Sequence, residues 1–350
     1  MMNVPGVLTG DEEVLRKCEI AKKYNKTING HAPLCSGDDL KRYISQGISN
    51  DYESSTFEEV FEKSEEGMDV FIRDRSSVSN LDFILDLNNI VEYFSSLLNE
   101  EIKEKLSKLL SLDVFSAIVS DDKHPDHILE GYLKKSFLKT VNNGFDFFSS
   151  LQLVTSRPAK CYGLNEGSIS KGNKANFFII DGLKTFNVKS TYINGNCVFD
   201  WENVLFKTQD ADFINTVNCD LKVEDDFKIY SDKEEVKVNV IRAIENSLIT
   251  EKEIATLKTE NGVIQPDLEN DVLKIAVVER YGGNTVANAF ISGFRFSKGA
   301  IASSVAHNSH NIIVIGTNSE DMAKATNIVC ENHGGLAVVM MILKIHYLYL

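Results

Sequence analysis

The sequence predicts an α/β chain in three parts: half of a parallel β/α barrel over residues 1–157, a small antiparallel β unit over 158–200, and an α+β domain over 201–350. Three observations predict it. Between residues 8 and 150 short apolar runs alternate with capped helical stretches, the pattern of a parallel sheet built from right-handed crossovers. The four runs end on polar residues: His31, then Asp51 to Glu53, then Arg73 and Asp74, then Asp121 and Asp122. In a β/α barrel catalytic side chains converge at those C-terminal strand ends, and four units make half a barrel. Past 158 the texture changes to short alternating runs broken by Gly and Asn, and past 270 it becomes strand-rich.

The elements follow in order. Thr9 with Glu12 forms a capping-box pattern that opens a helix reaching about Lys23. KTIN (26–29) is a short strand running into Gly30-His31-Ala32-Pro33. Ser36 with Asp39 caps a helix that stops at Gly47, and Ile48-Ser49 leads to Asp51, Tyr52 and Glu53. Thr56 with Glu59 caps a third helix ending at Gly67, followed by the strand MDVFIRD (68–74). Leucines and isoleucines at three- and four-residue spacing predict a long helical stretch over 80–110. VFSAIVS (114–120) is the fourth strand, and helices over about 126–142 and 145–157 close the first part. Residues 201–260 are mixed and charged with weak signals. VLKIAVVER, NAFISGF, AIASSVAH and NIIVIGT then predict strands over 272–317, and a helix over about 319–333 ends at Gly334.

Composition bounds the function. Fifty-one acidic residues against 37 basic give a net charge of −14, and no basic run exists, which argues against nucleic acid or an anionic membrane as partner. Hydrophobic residues are 43% and charged ones 25%, ordinary for a globular chain. No stretch reaches the ~20 apolar residues of a spanning helix. The six cysteines are scattered without a CxxC, suggesting neither a zinc ribbon nor a disulfide framework, so a reduced cytoplasmic protein is expected. There is no phosphate-binding glycine loop, nucleophile elbow or HExxH.

What remains is a set of His and acidic residues at strand ends. His31, in a tight turn directly after a strand, is a metal-ligand candidate; the alternative is a turn histidine satisfied by backbone. Glu53, Asp121 and Asp122 are candidates for proton transfer or metal ligation, although Asp before a helix is also an ordinary cap. Arg73 is a candidate neighbour of substrate. His124 and His127 read as helix-start residues around Pro125. His307 and His310, an HxxH in the turn between two strands, can share a ligand or remain solvated. Glu58, Glu59, Glu62, Glu65 and Glu66 read as a solvated helix face.

Several blocks in order resemble the bacterial adenine deaminases of the amidohydrolase superfamily. They are GHAPLCSGDDLKRYISQGISNDYESSTFEEVFEK, FIRDRSSVSNL, SDDKHPDHIL, TSRPAKCYGL with ISKGNKANFFIID, and LKIAVVERYGG with GFRFSKGAIASSVAHNSHNIIVIGTNSEDMA. The resemblance runs from residue 1 to about 339. It implies a (β/α)8 metal-dependent hydrolase barrel, of which this chain holds the C-terminal half, with a binuclear manganese or iron site and conversion of adenine to hypoxanthine and ammonia. It assigns His31 to the ligand after the fifth barrel strand and Asp121 to the acid after the eighth, with Asp122 beside it. The expected sixth-strand histidine falls on Tyr52, a weak ligand whose phenol is protonated near neutrality. A family Asp falls on Asn308, a small Gly on Arg75, an Asp on Asn176, and EGYL (130–133) is one residue short.

The His-x-His pair of the family's first strand does not occur in this chain. MMNVPGVL reads like the interior of a folded segment, and the chain ends in the apolar MMILKIHYLYL, so both ends look cut. The expectation is therefore a truncated, drifting copy or one half of a split enzyme, inactive alone, whose open sheet edges favour a homo-oligomer or a complementing N-terminal half.

Overall fold

The computed structural model describes residues 1–76, 79–84, 86–95, 100–208, 214–245, 250–306, 309–340 and 343–345. The chain forms two compact units, Met1–Gln209 and Asp210–Leu350.

The first unit opens with α1 (Val4–Thr9) and α2 (Glu12–Lys23). Here the expected capping box gives way to another cap. Thr9 closes α1 by donating to Pro5 O at 2.9 Å, and Asp11 caps α2 by accepting from the amides of Glu13 and Val14, each at 3.0 Å. Then come β1 (Ile28–Asn29), α3 (Gly37–Ser45), β2 (Ile48–Asp51), α4 (Phe57–Glu65) and β3 (Asp69–Asp74). Thr56 caps α4 through the Glu59 amide, as its sequence predicts. The stretch over 80–110 is three helices, α5 (Asn80–Ile84), α6 (Leu87–Ser95) and α7 (Glu100–Leu110), leading into β4 (Ala117–Ser120). The next expected helix is also divided, into α8 (Pro125–Leu129) and α9 (Tyr132–Asn142), because Gly131 takes φ +127° between them. Last come α10 (Phe147–Gln152) and α11 (Ser156–Cys161).

The four strands form one parallel sheet in the order β1-β2-β3-β4, the curled half barrel that the alternating pattern predicts. Its core packs Val70 and Ile72 of β3 against Phe57, Val60 and Phe61 of α4, with Leu81, Ile84, Ile90 and Leu109 from the helices that follow. A second, antiparallel sheet in the order β5-β6-β7-β8 spans β5 (Phe177–Ile180), β6 (Val188–Ile193), β7 (Asn196–Asp200) and β8 (Asn203–Val204).

The second unit carries a nine-stranded sheet of β9 (Glu235–Ala243), β10 (Thr250–Glu260), β11 (Val263–Ile264), β12 (Leu273–Val278), β13 (Val286–Ser292), β14 (Ala300–Ser303), β15 (Ile312–Gly316), β16 (Leu336–Met340) and β17 (Leu343–Ile345). Its order is β11-β10-β9-β13-β12-β15-β14-β16-β17, antiparallel throughout except where β13 meets β9. The charged stretch over 201–260 thus contains two of the longest strands. In β10 the outer face carries Lys252, Ile254, Thr256 and Lys258 while Ala255 and Leu257 point inward, so an exposed isoleucine and a charged surround obscure the alternation. α12 (Ser319–Glu331) lays Met322, Ala325 and Val329 on Ala302, Val314 and Ala276. Against the cysteine expectation, Cys219 and Cys330 are joined by a disulfide: the segment before β9 runs along the C-terminal end of α12 and brings together two thiols 111 residues apart. Among the described residues no helix is long and apolar enough to cross a membrane.

Candidate active site

The site is built at the C-terminal ends of β1 to β4. After β1 the chain must pass close to β2: the Gly30 amide donates to Asn50 O at 2.8 Å, and a Cβ on Gly30 would lie 2.2 Å from that oxygen. This fixes the turn that carries His31. Its amide donates to the Tyr43 hydroxyl at 3.1 Å, and its Nδ1 lies 3.1 Å from the Tyr52 hydroxyl and 3.3 Å from Glu53 Oε1.

Beneath the turn lies a buried ion cluster. Asp51 and Lys63 are both fully buried and paired at 2.9 Å. Asp51 also accepts from the amides of Ala32 (2.7 Å) and Glu53 (3.0 Å), while Lys63 donates to Ala32 O at 2.9 Å. A single carboxylate thereby ties the His31 turn to the Tyr52-Glu53 turn. Glu59, read from sequence as part of a solvated face, is instead buried at 6% exposure; it accepts from the amides of Leu34 and Ser55 and stands 3.4 Å from Lys63 Nζ. An acid and a lysine four apart, flanked by the buried Phe57, Val60 and Phe61 of α4, were the available signal for this cluster.

Above it, Arg73 from β3 is 1% exposed and forms an ion pair with Glu53. It donates through Nη2 to Asn80 Oδ1 at 3.1 Å, and its Cζ stands 5.9 Å from the Tyr52 ring centroid. Asp121, just past β4, lies 3.0 Å from Arg75 Nη1 and 3.8 Å from Arg73 Nη1. Burial, and then the adjacent Arg75 charge, lower the Arg73 guanidinium to about 10. Burial and the Asp121 charge raise the Tyr52 phenol, so it stays a neutral hydrogen-bonding group. Asp74 faces a separate set, Lys123 at 2.7 Å, Ser79 at 3.1 Å and the Ser136 hydroxyl.

Of the residues picked from sequence, the structure brings together His31, Tyr52, Glu53, Arg73 and Asp121. Asp122 is exposed beside them, its carbonyl accepting from the Ser76 amide. His124 and His127 stack at the start of α8, with His127 Nδ1 2.7 Å from Ser76 Oγ. His310 belongs to the second unit, exposed, with its amide on Ala306 O at 2.7 Å. His307 and Asn308 lie outside the described residues.

The cluster does not fit a binuclear metal. The two positions that resemble ligands, His31 and Asp121, are linked through Glu53 and the Arg73 guanidinium, and Arg75 sits on Asp121. A pair of divalent ions there would face two guanidinium cations, with the neutral Tyr52 phenol at the position where the resemblance expects a histidine ligand. Among the described residues no group of three or more His, Cys, Asp and Glu is arranged to hold a metal.

Comparison with known proteins agrees with this architecture. Residues 247–347 match the adenine deaminase C-terminal domain. Adenine deaminase from Methanosphaera stadtmanae is 40% identical over 345 residues, covering 97% of this chain and 58% of that protein. The adenine deaminases of Methanosarcina barkeri (39%) and Salinibacter ruber (34%) match over 97% and 96% of this chain and over 59% and 58% of their own lengths. The chain thus spans about three-fifths of these relatives. Among solved structures, β-aspartyl dipeptidase from Fervidobacterium islandicum AW-1 superposes with a TM-score of 0.35 at 15% identity over 52% of this chain and 50% of its own. Ochratoxinase from A. niger gives 0.35 at 15% over 54% and 45%. Residues 1–198, more than half of the chain, match the amidohydrolase family model, and the chain belongs to the amidohydrolase family.

Proposed function

We propose that this chain is a homologue of adenine deaminase, whose reaction is hydrolytic deamination of adenine to hypoxanthine and ammonia, and that the polypeptide alone does not sustain that reaction. The family assignment of substrate rests on the adenine deaminase relatives and on the matching C-terminal domain. The observation behind inactivity is the Arg75 guanidinium 3.0 Å from Asp121, with Tyr52 standing where a histidine ligand is expected. In the intact family a manganese or iron pair supplies Lewis-acid activation of water. Here the strand-end residues instead form a closed ion network, in which Glu53 and Asp121 are charge partners of arginine rather than metal ligands or proton carriers, and Asp122 stays at the surface. The setting we assign is cytoplasmic purine salvage, with a purine as the small-molecule partner and neither nucleic acid nor membrane involved.

Ammonia release from adenine with added manganese tests this. The expected result is no turnover above the uncatalysed rate; turnover at ~1 s⁻¹ or more by this chain alone overturns it.

The sheet of four strands, half the number of a closed barrel, favours a second reading, in which the chain is one half of a split enzyme and acts as an assembly module, complemented by a polypeptide carrying the His-x-His half whose strands displace the Leu153 contact on β4. Co-expression of the two halves decides: activity only when both are present establishes the split enzyme, and no activity with both removes it.

A further inference from the structure

The second unit contains a cavity of about 360 Å³ that none of the chemistry above uses. Lys274, from the interior of β12, reaches its wall with only 3% of its surface exposed. Its ammonium donates to Ser319 Oγ at 2.7 Å, and Ser319 Oγ donates onward to Phe227 O at 3.2 Å. A lysine carries three donors, and a hydroxyl satisfies one of them. Among the described residues no carboxylate pairs with Lys274. The nearest negative charge acting on it, Glu224, lies beyond ion-pair distance and is itself shared with Lys228, so the buried ammonium is only partly compensated. Asn318 and Ser319, which also line the cavity, begin the thirteen-residue α12, whose N-terminal dipole carries partial positive charge.

The rim carboxylates are mostly matched already. Glu224 pairs with Lys228 at 3.1 Å and Glu320 with Lys324 at 2.6 Å, leaving Glu260 at the edge. We propose that this cavity binds a small molecule through a carboxylate or phosphate group, with Lys274 as its charge partner and the start of α12 as a second donor. The volume suits a metabolite-sized ligand. Burial holds the Lys274 amine down at about 8 despite the Glu224 charge, and an anion in direct contact would complete the compensation that Glu224, shared with Lys228, leaves partial.

Reductive methylation of the full chain with formaldehyde, followed by peptide mass spectrometry, reads the site directly. Samples contain inorganic phosphate, acetate or chloride at matched ionic strength, and the exposed Lys298 serves as internal reference. At an anion concentration about four times Kd, Lys274 labelling falls roughly fivefold in phosphate or in acetate while Lys298 is unchanged. Protection by phosphate only, or by acetate only, identifies the headgroup. Equal Lys274 labelling in all three salts overturns the proposal. Lys274→Met gives a second reading: the thermal upshift produced by the protecting anion disappears, and its persistence in a folded variant also overturns the proposal. If that variant does not fold, the labelling of the unmodified chain decides.

Discussion

Substituting Lys63 by Met removes the cation at the base of the candidate site while keeping most of the side-chain volume. Lys63 and Asp51 are fully buried, 2.9 Å apart, and Lys63 also satisfies Ala32 O at 2.9 Å and Ser54 Oγ at 3.2 Å. In the variant Asp51 keeps its bonds from the Ala32 and Glu53 amides and from the Ser54 hydroxyl, and Glu59 those from the Leu34 and Ser55 amides, but both carboxylates are left buried without their cation. Breaking such a pair from one side costs ~3–5 kcal/mol, and the surviving bonds put this case near the lower end, ~3 kcal/mol. With a urea slope of ~2.5 kcal/mol/M, the midpoint for the first unit should fall by about 1 M. Adding Asp51→Asn to Lys63→Met removes the deeper of the two orphaned charges, leaving Glu59, and should restore at least ~1 kcal/mol, a coupling that equilibrium unfolding resolves. A single-variant cost below ~1 kcal/mol, or a double variant no more stable than Lys63→Met, would refute the view that this pair holds the His31 and Glu53 turns together.

Lys274 makes stability depend on alkaline pH. Its folded-state value is about 8 against an ordinary 10.5, so the penalty for burying the charge is complete below 8 and is relieved as pH rises from 8 to 10.5. Unfolding free energies from urea titration should therefore rise over that window by up to ~3 kcal/mol in an anion-free buffer, and Lys274→Met should flatten the rise. Gly30→Ala places a methyl group 2.2 Å from Asn50 O and should destabilise the first unit by ~3 kcal/mol; a melting temperature within about 2 °C of the parent contradicts this. Reducing the Cys219–Cys330 disulfide, or replacing Cys219 by Ser, opens a 111-residue loop and should cost the second unit ~4 kcal/mol by calorimetry, with a loss under ~1 kcal/mol counting against the linkage.

The half barrel was legible because its signals are local. An apolar run followed by polar residues marks each strand and its exit, and Thr56 or Gly67 marks where α4 starts and stops. His31, Tyr52, Glu53, Arg73 and Asp121 were therefore found one strand end at a time. Which of them would touch was not legible. The Arg75–Asp121 pair spans 46 residues and the Cys219–Cys330 pair 111, and neither separation leaves a spacing pattern. Glu59 and Lys63 were hidden differently: on α4 they share a helix with exposed acids, and composition alone cannot tell a carboxylate facing solvent from one that accepts from the Leu34 and Ser55 amides. β9 and β10 were missed for different reasons: EVKVNV of β9 does alternate but sits in a stretch dominated by charge, whereas in β10 the exposed Ile254 lies on the wet face and breaks the pattern set by Ala255 and Leu257.

The parallel sheet of the first unit has two free sides, and their construction bears on how copies of the chain meet. Strand addition requires a run of consecutive outward-pointing backbone groups. β1 offers only two residues, Ile28 and Asn29. At the other side, the Ile118 amide of the four-residue β4 donates to Leu153 O at 2.8 Å, so a loop of the same chain holds the place a neighbour's strand would need. A sheet blunted in this way is a poor template for fibrillar growth. Self-association of this unit, where it occurs, has to be carried by side-chain surfaces, and charge substitutions on those surfaces rather than prolines in the strands are the changes that would disperse it.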